Sequence, residues 1–265
     1  MKVSLSPEQE TLLIPLYAKG QPDNPIFYDP AAGNLLKRID YDFSKLKVPY
    51  KTIVLICQRV KKFDSVTGSF LSANPNGLVL HLGCGLDNRF WRVDNGQVTW
   101  VDLDMPPVID LRRQLFPEDD RCHLIASSVT EFEWIEQVPY INRPTLILAE
   151  GLLMYLNETD VRELVLRLKE VFPGSQLTSD VFSRMTARAA SRHPSLKRTG
   201  ATIGFGIDDA REIEGWAPGI RLLEEWFFSQ DPDLRKLSPG YRLAYKLAGA
   251  SKTVRMAHQV VSYQL

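Results

Sequence analysis

Only three cysteines occur in the 265 residues. They are Cys57, Cys84 and Cys122; no two form a CxxC pair, and any disulfide scheme leaves one over. A disulfide scaffold is excluded, and reduced thiols in a cytoplasmic protein are expected. The four histidines, His81, His123, His193 and His258, show neither His-x-x-x-His nor Cys/His spacing, so no metal is expected. Gly-Lys-Ser/Thr is absent, which removes a P-loop kinase or ATPase. No apolar run approaches the roughly 20 residues of a membrane-spanning helix. Met1 to Leu16 contains Glu8 and Glu10 and no long apolar core, unlike a secretory signal. Neither charge is in excess, with 32 Lys+Arg against 32 Asp+Glu. That balance gives no footprint for nucleic acid or an anionic membrane, although it leaves room for a local basic patch. A small molecule is the expected partner; the oligomeric state cannot be read from these residues.

What is present is ordinary globular composition, 44% apolar and 24% charged. A chain of this length buries well over half of its unfolded surface and suits one elaborated domain. The first 75 residues read as helical. Leu12, Leu13, Leu16 and Tyr17 recur at helical spacing after Ser6-Pro7-Glu8, a cap and first turn. Asp29-Pro30 opens a second helix, with Asp as N-cap and Pro where its missing N–H costs nothing. A third runs from about Pro49 to Leu71 and stops before Asn74-Pro75-Asn76-Gly77, the clearest punctuation in the chain.

After Gly77 short apolar runs alternate with helical stretches. The runs are Leu78–Leu82, Val98–Val101, His123–Ala126, Thr145–Ala149 and Leu177–Phe182, and a helix carrying Val161, Leu164, Val165 and Leu168 precedes the last. This rhythm predicts a parallel sheet with helices on both faces. Later, Ile220–Phe228 reads as a strand, Ser229–Asp233 as a loop, Pro239 to about Ala250 as a helix, and Thr253–Tyr263 as long and extended. Two late strands can close one edge of the sheet.

The strongest local signal is a buried strand running into Gly83-Cys84-Gly85. Glycines there allow a tight turn and close backbone approach to a ligand, or serve a tight turn alone. Asn88 stands where a dinucleotide fingerprint has its third glycine, so a pyrophosphate on a helix N-terminus is not favoured. Asp104 lies about 20 residues beyond the first glycine, the spacing at which an acid meets ribose hydroxyls. Asp102 or Asp104 can instead cap the helix opened by Pro106-Pro107. Glu150 ends the fourth run and points into the usual ligand crevice of a parallel sheet, or serves as an acid in the first turn of a helix. Arg59, on its own, reads as a solvated helix charge. Cys84 carries no mark of a nucleophile, His81 reads as a buried, hydrogen-bonded residue, and Trp134 and Tyr155 as packing groups, with Tyr155 alternatively facing an acceptor.

Leu-Gly-Cys-Gly-Leu-Asp-Asn-Arg (82–89), Asp-Leu-Asp-Met-Pro (102–106), Ser-Ser-Val…Trp (127–134) and Glu-Gly-Leu-Leu-Met-Tyr-Leu (150–156) together resemble the leucine carboxyl methyltransferase superfamily, in its bacterial polyketide-type O-methyltransferase branch. The resemblance covers most of the chain and thins after about Ser183. It implies an α/β fold of the class I methyltransferase kind. That is a seven-stranded, mostly parallel sheet with helices on both faces, residues 1–75 as a helical cover and 76–265 as the core. It also implies S-adenosylmethionine as cofactor. Gly83 and Gly85 would line it, Asp104 would bind its ribose, Glu150 would approach its methionine end, and Arg59 would grip its carboxylate. Ser128 and Val129 stand where the family has Asp-Leu beside the adenine, a departure at that contact. The implied activity is O-methylation of a small-molecule carboxylate or acidic hydroxyl of the polyketide kind. The catalytic residue is not legible, since no base–nucleophile pair stands out. Arg184, Arg188, Arg192 and Arg198 offer charge for an anionic acceptor, or form a solvated helix face. A nicotinamide oxidoreductase and a non-catalytic cofactor-binding module are the alternative readings of the same layout.

Overall fold

The computed structural model describes residues 10–190 and 203–265. The expected cap at Ser6-Pro7-Glu8 lies outside them. Helix α1 (Leu13–Lys19) starts without a side-chain cap. Leu13 and Leu16 instead bury its apolar side against Leu86, Leu111 and Leu115. Helix α2 (Pro30–Arg38) begins as expected: Asp29 Oδ1 accepts the N–H groups of Ala31 and Ala32 at 3.0 and 3.2 Å, ahead of Pro30. Helix α3 (Tyr50–Ala73) ends at Asn74, whose N–H closes on the Phe70 carbonyl.

The sheet follows as β1 (Leu78–Leu82), β2 (Thr99–Asp104), β3 (Cys122–Ala126), β4 (Thr145–Ala149), β5 (Gln176–Phe182), β6 (Arg221–Phe227) and β7 (His258–Gln264). Between them lie α4 (Arg89–Val93), α5 (Pro106–Leu115), α6 (Glu158–Val171), α7 (Arg184–Ala190), α8 (Pro239–Ala250) and α9 (Lys252–Arg255). The strand order is β3-β2-β1-β4-β5-β7-β6. The first five strands are parallel, and β7 runs antiparallel to both β5 and β6. This is the expected seven-stranded, mostly parallel sheet.

Helices on both faces follow from strands that are apolar throughout. Leu78, Leu80, Leu82, Ile147 and Ala149 share one core with Val161, Leu164, Val165 and Leu168 of α6. Their strand neighbours Val79, Leu146 and Leu148 face the other way, with Phe63, Val66 and Leu71 of α3. β1 and β4 thus send alternate side chains into two cores.

Two late elements differ from expectation. Thr253–Tyr263 is not one extended run. Ser251 caps the short helix α9, its hydroxyl accepting the Val254 N–H, and the strand begins only at His258. Ser229–Asp233 is not a plain loop but belongs to two 3₁₀ turns, Phe228–Gln230 and Pro232–Lys236. Asp231 caps the second, and Pro232 sets its first φ.

Candidate active site

The carboxyl ends of β1, β2 and β4 meet at one crevice. Leaving β1, the chain turns at Gly83 and Gly85, both left-handed at φ 63° and 51°. Such values cost other L-residues about 1–2 kcal/mol, so glycine is required there. At the end of β2, Asp104 Oδ2 accepts the Gly85 N–H at 2.7 Å and its Oδ1 accepts the Met105 N–H at 2.7 Å. Burial pushes its carboxyl above the ordinary value. Asp102 does different work. It is buried and accepts bonds from Arg112, from Trp100 Nε1 at 2.8 Å and from His81 Nδ1 at 3.1 Å. Despite burial, Arg112 and His81 hold its carboxyl low. Beyond β3, the Ser127 N–H donates to the Asp104 carbonyl, Ser128 Oγ lies 2.8 Å from Thr130 Oγ1, and Val129 is buried.

Leaving β4, Glu150 is followed by left-handed Gly151. Glu150 Oε1 accepts Arg59 Nε at 2.9 Å, and its Oε2 accepts Arg89 Nη2 at 2.5 Å. Arg59 reaches over from α3 and is not the solvated charge that its residue type alone suggests. Its Nη1 donates at 3.0 Å to Asp180 on β5. Its Nη2 donates to no acceptor among the described residues. Asp180 Oδ1 also takes the Gly151 N–H at 2.5 Å, and Oδ2 takes His258 Nε2 at 2.7 Å. Burial opposes the charge on Asp180, but Arg59 and His258 outweigh it and hold the carboxyl far below the usual range.

A second set of charges ties the helical segment to this crevice. Lys19, at the end of α1, is 1% exposed and pairs with Asp87 and with Asn88 Oδ1. Arg92 joins Asp64, Asp87 and Asp29, and Arg89 joins Asp64, Asp87 and Glu150. Burial lowers the Lys19 pKa despite these acids.

The cavity between these groups holds about 170 Å³. Arg59, Gly83, Gly85 and Glu150 line it, with Lys19 and Tyr155. Asp104 borders it through the Gly85 N–H, while Ser128 and Val129 lie past the end of β3, outside its lining. Lys19, Asp64, Arg92 and Asp180 escaped the reading of the sequence. Asp180 carried a signal, being an acid inside an apolar strand, where a charge persists only when paired. Burial pushes the Cys84 thiol well up, consistent with no nucleophilic role. Arg184 is committed to Glu212 at 2.8 and 2.6 Å. Arg192 and Arg198 lie outside the described residues.

No helix among the described residues is long and apolar enough to cross a membrane, and no acidic or His/Cys cluster there is arranged for a metal. The solved structures share the fold. A putative methyltransferase from Thermobifida fusca superposes with a TM-score of 0.59 at 17% identity, covering 99% of this chain and 95% of that one. A DUF574 family protein from Streptomyces avermitilis gives 0.61 at 14% identity, over 97% and 99%. Among curated proteins, the tetracenomycin polyketide synthesis O-methyltransferase TcmP of Streptomyces glaucescens is 38% identical over 98% of both chains. The S-adenosyl-L-methionine-dependent methyltransferase dpfgK of Gibberella zeae is 30% identical over 87% of this chain and 85% of its own. The family model for leucine carboxyl methyltransferase matches residues 16–169. The chain therefore belongs to the leucine carboxyl methyltransferase family and is an S-adenosylmethionine-dependent methyltransferase.

Proposed function

We propose that the chain methylates an ionised oxygen, a carboxylate or an acidic phenol, on a small molecule of the polyketide kind. The observation that carries the cofactor end of this reading is Arg59. Two of its nitrogens are taken by Glu150 and Asp180, while Nη2 lies free of described acceptors on a side chain that lines the cavity. That edge suits the carboxylate of a methionine moiety, since a guanidinium and a carboxylate match in plane and charge. Glu150, through its remaining lone pairs, suits the ammonium. Gly83 and Gly85 present backbone without a Cβ, Asp104 suits two ribose hydroxyls, and Ser128 and Val129 are assigned to the adenine. The donors in the cavity support the methionine end of the cofactor, and residues 10–75 contribute Leu12, Leu16 and Lys19 to the cavity as part of its cover.

The cofactor supplies a methyl group on a sulfonium, a leaving group that needs no acid from the protein. The residues of this chain hold, orient and exclude water, which suffices for an in-line transfer. In the cavity lining, His81 Nδ1 is bonded to Asp102, Glu150 is paired with Arg59 and Arg89, and the Tyr155 phenol is a weak acid that stays protonated near neutral pH. An acceptor that arrives ionised needs no base. The similarity to TcmP supports oxygen as the acceptor atom and the polyketide class as its carrier.

Thermal shifts with S-adenosylhomocysteine and NAD test the cofactor end. Ligand at about 100 times its dissociation constant stabilises by roughly 2.7 kcal/mol. A response to NAD alone overturns the reading. The acceptor end is tested by kcat against pH, in conditions where a burst experiment shows chemistry to be limiting. A carboxylate acceptor, with its pKa near 4, gives a level profile from about pH 6 to 8. A rising limb there overturns the carboxylate reading and leaves a phenol ionising in that range or a hydroxyl served by a base.

A further inference from the structure

We infer that Asp180, steadied by His258, is a positioning residue that keeps Arg59 Nη2 turned toward the cofactor; this rests on the reading of Arg59 as the carboxylate grip. Asp180 is 0% exposed and sits beside Glu150, because Ala149 and Ser179 are register partners in β4 and β5. Its carboxylate receives three donors: Arg59 Nη1, the Gly151 N–H and His258 Nε2. One acid therefore fixes both the guanidinium and the backbone turn that follows Glu150. The guanidinium lies flat against that turn, so a Cβ on Gly151 would stand 3.2 Å from Nη2.

The division of labour between the two acids follows from geometry. Glu150 holds Nε and Asp180 holds Nη1. A planar guanidinium pinned at those two atoms keeps Nη2 as its open edge. With Asp180 uncharged, Glu150 Oε1 is the remaining acidic contact of Arg59, since Oε2 holds Arg89, and the guanidinium is free to swing about Nε. That movement turns away the edge meant for the cofactor carboxylate. His258 keeps Asp180 from following Arg59. Its ring is wedged between Phe182 and Phe228, each with its centroid 4.6 Å away, and its Nε2–H holds Oδ2 in place.

The test compares S-adenosylhomocysteine with 5′-methylthioadenosine, which keeps the adenosine and lacks the amino-acid end. Calorimetric Kd values are measured for the parent, Asp180→Asn, His258→Leu, His258→Gln and Arg59→Lys. Asp180→Asn is expected to weaken S-adenosylhomocysteine about tenfold or more, the scale of a lost charge-assisted bond, and to leave methylthioadenosine within about twofold. Equal weakening of both ligands marks a merely structural acid and overturns the proposal, as does no weakening. His258→Leu should follow Asp180→Asn more weakly, and His258→Gln, whose amide nitrogen donates from a similar place, should restore the parent. If Asp180→Asn does not fold, the His258 pair decides: selective loss with Leu and recovery with Gln supports the proposal, and no selective loss with Leu overturns it. Arg59→Lys separates the two layers. An unchanged preference for S-adenosylhomocysteine in that variant removes the Arg59 reading and the proposal with it. A changed preference there, with none in Asp180→Asn, removes the proposal alone.

Discussion

The Gly85 N–H donates to Asp104 Oδ2 at 2.7 Å, so the second glycine of the β1 turn and the acid ending β2 move as one unit. Two residues earlier Asp102 points into the protein, where it meets Arg112. Both acids lie on one face of β2; Asp102 is buried within the strand, whereas Asp104 ends it beside the turn, and the two positions give them different duties. Asp104→Asn should therefore weaken S-adenosylhomocysteine binding by about tenfold to a hundredfold, while lowering Tm little. Asp102→Asn should do the reverse, because it strands a buried arginine at a cost of about 3–5 kcal/mol. Titration calorimetry and thermal unfolding of both variants check the assignment, and it fails if the two behave alike.

The two glycines of the turn should also separate. A Cβ at Gly83 would meet Leu152 at 2.9 Å, whereas at Gly85 the nearest atom is on Leu12 at 3.4 Å. Both substitutions carry backbone strain of about 1–2 kcal/mol. Gly83→Ala adds a collision and should be the less stable of the pair by thermal unfolding. Equal Tm losses would show that Leu152 moves aside freely.

Acid should unfold the protein late. Burial raises the carboxyls of Asp64, Asp87, Asp102 and Asp180, but neighbouring arginines outweigh it and hold all four below the ordinary value. A carboxyl depressed by folding contributes stability that is complete above the unfolded pKa, near 3.9, and is lost as pH falls through the folded value. Asp104 has the opposite sign, since its raised pKa favours the folded state as pH drops. The depressed carboxyls outnumber the raised ones, so Tm should stay level from pH 7 to about 5 and fall steeply only below about 4. A scan that loses half of the stability between pH 6 and 5 contradicts this ordering.

The cover is expected to tighten with ligand. Lys19 and Asp29, from the helical segment, are bonded to Asp87 and Asn88 at the β1 turn. Cofactor bound against that turn should slow hydrogen exchange in α1, between Leu13 and Lys19. Unchanged exchange there on addition of S-adenosylhomocysteine removes the cover from the binding event.

Much of this layout was legible in the residues themselves. β1 and β4 begin and end where their apolar runs do, and Asp29-Pro30 opens α2 through local chemistry alone. The late chain was harder to read. Thr253 and Val254 favour strands by their branching, and the Ser251 cap together with the backbone bonds from Arg255 to Ser251 and from Met256 to Lys252 sets them in α9 instead. Family likeness placed Arg59 at the site, but the acid within β5 hinted only at some partner and not at which one. Asp180 lies 121 positions away in the chain, and no local pattern marks which charges will meet over such a distance. Lys19, Asp64 and Arg92 likewise read as ordinary solvated charges until folding encloses them.

The position of β7 between β5 and β6 sets an order of assembly that runs against the order of synthesis. β6 is made first, yet it can join the sheet only through β7. Until then it waits as an unpaired strand carrying Leu222, Leu223, Trp226 and Phe227, the kind of edge that invites association with other chains. A nascent molecule with five parallel strands in place already has Gly83, Gly85, Asp104 and Glu150 at their posts. It lacks His258, which enters only with β7. Closing the sheet and bracing the acid that holds Arg59 are thus one event in the life of the chain. A molecule stalled before it would have Arg59 already bonded to Glu150 and Asp180, with Asp180 itself not yet braced by His258.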